Sequence, residues 1–318
     1  MKTKAINQQL FTLFILLTFS LLFFSCKTKS DKKILAYKDY PNLKIGFSTQ
    51  NFQKAMPLNV ESLTELIAYA SEEGYQFIEI RDDLAKLSTE DCKAIADVAA
   101  SKKIDVIYEI HKNLLDTGYF KVFERGLANM LLFPVPGIIR TVISKTEFDA
   151  DPNKKGWTKE ELYRITKISD SCAIIAGSKN IKFIVENLNE SFFGDSTYFG
   201  LNDFFANTTA TGFQLDLGNP YRSLGRVKAD PLKVEEYLST MGNRWVTTHL
   251  KTVASVGGEM QPFLTDNPMS VEKVVELMGK QNVLYGALEL AAVADKKLCF
   301  ANHAKSIQFL KDKGILKN

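Results

Sequence analysis

The chain has 318 residues, 45% of them hydrophobic, enough to bury a sizeable core as one large domain or two ordinary ones. Forty basic residues against 37 acidic ones leave a net charge of +3, part of it close to the N-terminus. This balance excludes a disordered chain and carries no nucleic-acid footprint.

In chain order, Lys2 and Lys4 precede an uncharged stretch from Ala5 to Ser25 that is dominated by Leu and Phe and ends at Cys26. The pattern is that of an export signal. "LLFFSC" resembles a bacterial lipoprotein lipobox, with Phe23 where Leu is usual. The resemblance implies lipidation of Cys26, a membrane anchor, and a place in the cell envelope, facing the periplasm or in the outer membrane. A membrane span is the competing reading, because the run is long enough to cross a ~30 Å hydrocarbon layer. "KTKSDKK" follows as a hydrophilic tether. The expected division is 1–25 signal peptide, 26–42 tether and 43–318 folded domain. Cys92, Cys172 and Cys299 have no CxxC or Cys/His spacing and read as small core residues.

Beyond the tether, short β-rich apolar runs alternate with stretches of helical period. The runs are Leu43 to Ser48, Tyr75 to Ile80, Ile104 to Ile110, Gly137 to Ser144, Ile181 to Glu186, Gly212 to Asp216, Arg244 to Leu250 and Leu284 to Leu290. Helix starts are marked by Ser62 with Glu65, Ser88 with Asp91, Thr158 with Glu161, and Asp230 before Pro231. Gly74, Gly279 and Gly314 stand where helices need a left-handed stop. The least regular segment, Thr117 to Gly137, stands where the third helix should be, and its run from Met130 to Val135 is expected to be a buried helix end. Eight strands each followed by a helix predict an α/β fold of the (β/α)8 TIM-barrel class. No GxGxxG or P-loop supports nucleotide binding.

In such a barrel, chemistry sits where strands end. Glu186, Asp216, His249 and Glu289 close the last four runs in turn, about 30, 33 and 40 residues apart, one βα unit each. Three carboxylates and an imidazole on one rim are costly to bury unpaired, and the sequence supplies no equal count of Arg or Lys at the same strand ends. One divalent cation resolves the conflict, and the donor set suits Mn²⁺, Mg²⁺, Co²⁺ or Zn²⁺.

From about Leu43 onward the chain resembles the sugar phosphate isomerase/epimerase family of xylose-isomerase-like TIM barrels. The resemblance rests on "KIGFST", on "ASEEGYQFIEIR" with Glu79, and on the order Glu186, Asp216, His249, Glu289. It implies that these four bind one metal, that Glu186 and Glu289 form an acid/base pair, and that a sugar or keto-sugar reacts through an enediolate. A lyase or hydrolase acting on keto-glycosides at the same site stays open, as does an oligomer. The family's DNA-repair branch needs many histidines, and this chain has three.

Two departures from the family pattern stand out. Asn219 follows Asp216 where many members have His, and Thr252 replaces an Asp after His249. The second gives weight to a rival reading, a non-catalytic carbohydrate-binding lipoprotein. Substrate-binding candidates are Glu79, Glu109, His111, Asn219, Arg222 and Lys251, with Lys251 equally readable as solvated. Tyr221 beside Arg222 belongs to the same loop, and Phe192, Phe193 and Trp245 are candidates to stack on a sugar ring. "VGGE", Val256 to Glu259, is the one glycine pair near a phosphate-loop position.

Overall fold

The computed structural model describes residues 34–133, 137–143, 156–188, 191–221, 229–253, 255 and 258–318. The expected signal peptide, Cys26, Arg222 and the first two residues of "VGGE" therefore lie outside the described residues. Eight strands form: β1 (Lys44–Ser48), β2 (Phe77–Arg81), β3 (Asp105–Asn113), β4 (Ile138–Val142), β5 (Lys182–Glu186), β6 (Gly212–Asp216), β7 (Trp245–Leu250) and β8 (Tyr285–Leu288). Each pairs in parallel with the next, and β8 pairs with β1, so the sheet closes into a (β/α)8 barrel. Gly46 permits the close approach of β1 to β2, since a Cβ there would stand 2.2 Å from the Phe77 carbonyl oxygen.

The surrounding helices are α1 (Val60–Glu73), α2 (Asp82–Ala85), α3 (Thr89–Lys102), α4 (Tyr119–Met130), α5 (Lys159–Gly177), α6 (Leu201–Ala206), α7 (Pro231–Thr240), α8 (Val271–Lys280) and α9 (Lys296–Asp312). Ser88 and Thr158 cap as expected, and Asp230 caps α7 ahead of its first-turn proline. The start of α1 differs from the pattern. Asn59 is the cap and Ser62 returns the bond to it, because Ser62 already sits in the first turn. Gly74 and Gly314 take left-handed turns, whereas Gly279 stays inside α8 and Asn282 makes the turn instead. The irregular segment holds α4, whose Met130 is buried while the following Leu131 is half exposed. The three cysteines are buried and free.

Leu35 and Tyr37 are buried, and Tyr37 forms an antiparallel bridge with Leu316. Inside the barrel, the period of two along each strand decides what faces the axis. Phe77, Ile107, Ile138, Ile184, Val246, Tyr285 and Ala287 form an apolar plug toward the strand starts. Two residues beyond several of these stand Glu79, Glu109, Arg140, Glu186 and Glu289. The alternation that turns Ile184 inward also turns Glu186 inward, and the barrel passes from oil to ions within one pleat.

Candidate metal centre

Glu186, Asp216, His249 and Glu289 are all buried, and each offers a ligand atom such that the four atoms lie within 4.8 Å of one another. That separation fits donors gathered around one cation at roughly 2.0–2.4 Å. His249 Nδ1 lies 3.2 Å from Glu186 Oε1 and 3.7 Å from Asp216 Oδ2, with Glu289 Oε2 also beside it. This nitrogen is buried without a hydrogen-bond partner. The other ring nitrogen, Nε2, is held by Glu79, which is itself fully buried.

Local structure sets each group. The Asn187 side chain pairs with the Asp216 backbone in both directions, its Nδ2 donating to the carbonyl at 3.0 Å and its Oδ1 accepting from the amide at 2.8 Å. This extends the β5–β6 ladder by one rung of side chain. Asp216 Oδ1 accepts from the Gly218 and Asn219 amides at 2.9 and 2.8 Å, which leaves Oδ2 aimed at the centre. Asn219 donates to the Asn187 carbonyl and accepts from Lys251 Nζ at 3.1 Å. It shapes the layer behind the centre.

Cations do enter these strand ends, though fewer than the carboxylates they face. Arg140 is 2% exposed and joins Glu109 to Glu186. Arg81 reaches Glu109 at 3.2 Å and makes a two-pronged pair with Asp83. Lys251 is 1% exposed, not solvated, with Nζ 2.5 Å from Asp216 and 2.8 Å from Glu289. It fits because Gly218 has no side chain, since a Cβ there would meet Lys251 Cδ at 2.6 Å. Among the described residues, five buried carboxylates (Glu79, Glu109, Glu186, Asp216, Glu289) then face three buried cations (Arg81, Arg140, Lys251). The mouth therefore keeps an excess of negative charge, which a proton on His249 reduces and a divalent cation in place of that proton would balance.

The same field acts on the titrating groups. Burial works against the charged form of His249, but Glu79 and Glu289 outweigh it and hold the imidazole well above its usual pKa. Burial opposes ionisation of Glu289 too, yet Lys251 and His249 draw its carboxyl well below the ordinary range. For Glu109, burial is outweighed by Arg140 and Arg81, and the carboxyl is lowered to about 2.

The remaining candidates divide. His111 is half-buried, with Nδ1 2.9 Å from Glu109 Oε1. Tyr221 is buried at the end of the β6 turn. Phe192 and Phe193 pack on Tyr237 with ring centroids 5.5 and 6.1 Å apart, against α7. Trp245 begins β7 at the far end of the barrel, where its Nε1 donates to the Thr247 carbonyl at 3.0 Å, so it cannot stack on a ligand at the mouth. Thr252 is buried and bonded to the backbone of Thr265 on both sides, an anchor for the loop after β7. Gln50, just beyond β1, links Arg81 to Glu289 and was not evident from sequence. Nor was Arg140, although its place in the inward register of "GIIRTV" was the available signal. A cavity of about 170 Å³ opens above the centre, bordered by Gln50, Arg81, Arg140, Glu186, Lys251 and Glu289.

No protein-family model matches the sequence, and no curated protein matches it. Solved structures share the fold. A sugar phosphate isomerase/epimerase from Parabacteroides distasonis superposes with TM-score 0.63 at 13% identity, over 86% of this chain and 98% of that one. A xylose isomerase-like TIM-barrel protein from Mycobacterium smegmatis in complex with magnesium gives 0.61 at 15%, over 85% and 97%. D-psicose 3-epimerase with D-tagatose from Clostridium cellulolyticum gives 0.59 at 13%, over 85% and 99%. A probable dehydratase and an endonuclease are among the other structures with this fold.

Proposed function

We propose that the protein is a metal-dependent sugar isomerase or epimerase that moves a proton beside a carbonyl, through an enediolate. The observation that carries this reading is the placement of Glu186 and Glu289 at one centre, each with its outer oxygen held by a buried cation, Arg140 and Lys251. Glu186, Asp216, His249 and Glu289 would hold the metal, which supplies Lewis-acid polarisation of a substrate carbonyl and so acidifies the neighbouring C–H. One glutamate takes the proton from carbon and the other returns it on the opposite face. Lys251 borders the chamber, where its positive charge stabilises the substrate oxygen that gains charge, and Asp216, Asn219 and Glu289 keep its ammonium in place. Glu79 fixes the imidazole, and Arg81 with Gln50 positions Glu289 from behind. His111 faces sugar hydroxyls from the β3 side, oriented by Glu109 behind it, with Arg222 assigned to the same task. The epimerase and magnesium-bound barrels among the structural neighbours support this reading.

The test is incubation of the metal-loaded protein with a panel of ketoses in D₂O. Deuterium is expected at carbon next to the carbonyl, with loss of about 100-fold or more in Glu186→Gln and Glu289→Gln. Asp216→Asn is expected to lower the metal content from about one equivalent. Sugar binding without any exchange would overturn the isomerase reading in favour of a carbohydrate-binding protein, and elimination products would point to a lyase. We also propose export and lipid anchoring through Cys26. Labelled palmitate should enter the native chain and not Cys26→Ala.

A further inference from the structure

Beside the cavity over the metal centre lies a second one of about 450 Å³. The two share His111 and Leu188 as a common border, and the Arg81–Asp83 pair bridges them, Arg81 facing the inner chamber and Asp83 the outer. We propose that the outer chamber binds the second unit of a two-part substrate, an uncharged hydroxylated ring joined to the sugar that reacts at the metal. The proposal rests on the reading of the inner chamber as a sugar site.

Size argues first. The inner chamber is below the roughly 300 Å³ at which pockets for larger ligands begin, whereas the outer one lies inside that range. A compact sugar fills the first and leaves the second without a use. Chemistry argues next. The outer chamber has apolar patches from Ile110, Val122 and Val142, together with carboxylates and an amide from Asp83, Asp116 and Asn113. A pyranose ring presents the same mixture, C–H faces and hydroxyl edges. Charge excludes an anionic unit. Three carboxylates of its lining, Asp82, Asp83 and Asp116, outnumber its two cations. Each cation already pairs with one of them, Lys112 with Asp116 at 3.6 Å and Arg125 with Asp82, so the wall repels a phosphate or carboxylate. A substrate spanning both chambers passes its linking oxygen along His111, whose Nδ1 is already fixed by Glu109.

The test compares D-fructose with four glucosyl-fructoses that keep a ketose unit, turanose, maltulose, leucrose and isomaltulose, using the full metal-loaded chain. Binding is read by calorimetry, and turnover by carbon deuteration in D₂O. At least one disaccharide is expected to bind about tenfold tighter than fructose. Val122→Trp, which fills the chamber from α4, is expected to remove that advantage, as is Asp116→Tyr from the rim should the first variant fold poorly. If no disaccharide binds better than fructose, or if both folded variants weaken fructose and disaccharide equally, the proposal falls. Tight, Val122→Trp-sensitive disaccharide binding with no deuteration of any sugar upholds the outer chamber and overturns the isomerase reading instead.

Discussion

Glu79 of β2 grips Nε2 of His249 of β7 across the mouth, and thereby leaves Nδ1 to face the carboxylates of β5, β6 and β8. A carboxylate behind an imidazole fixes the tautomer and makes the ring a better ligand. Glu79→Gln is therefore expected to weaken metal retention about 10- to 100-fold, with the fold kept. Dialysis against chelator followed by metal analysis measures it. Unchanged retention would mean that Glu79 has no part in holding the ligand.

Gly218 opens the slot through which Lys251 reaches Asp216 and Glu289. Gly218→Ala should push the lysine stem aside. Turnover is expected to fall by about tenfold or more while metal content stays near that of the native protein, since the four ligands remain. A variant that loses metal and turnover together would show that Lys251 serves the ligand set and not the substrate.

Four positions of the centre were legible because each charged residue ends an apolar run, and a barrel gives strand ends one address. The cations were harder to read. Arg140 sits in mid-strand, where one charge looks like an edge residue. Its meaning appears only when β3 and β5 supply Glu109 and Glu186 on either side. Lys251 looked solvated because its partners come from the β6 turn and the end of β8. Trp245 was misplaced for a simpler reason, that it opens its strand while the mouth lies at the other end. Periodicity shows which way a side chain points, but neighbours around the barrel show what it meets.

Glu109 predicts an acid limb of stability. Arg140 of β4, Arg81 of β2 and His111 of its own strand face it, and the carboxyl is lowered to about 2 in the folded protein. In the unfolded chain it titrates near 4.3, so its stabilisation is complete above that pH and is lost as pH falls toward 2. Glu109→Gln should cost about 3 kcal/mol at pH 7 and much less near pH 2.5. Urea unfolding at the two pH values decides it, and an equal cost at both would refute the assignment.

His303 predicts a second limb at milder pH. It is fully buried among Phe47, Phe52 and Tyr75, with Asn51 3.1 Å from Nε2, and burial lowers its pKa to about 3. The unfolded chain takes up the proton near 6.5, so native stability is full above that value and declines as pH falls below it. His303→Leu should lose about 2 kcal/mol less than the native chain between pH 8 and pH 5. The same loss in both proteins would show that the ring is not held neutral.

The bridge between Tyr37 and Leu316, with the Lys38 amide donating to the Ile315 carbonyl, brings the chain into the domain beneath the strand starts. Entry and mouth are at opposite poles. A pull applied at Ile34 is thus borne first by this rung beneath the strand starts, and not by the strand ends that hold Glu186 and Glu289.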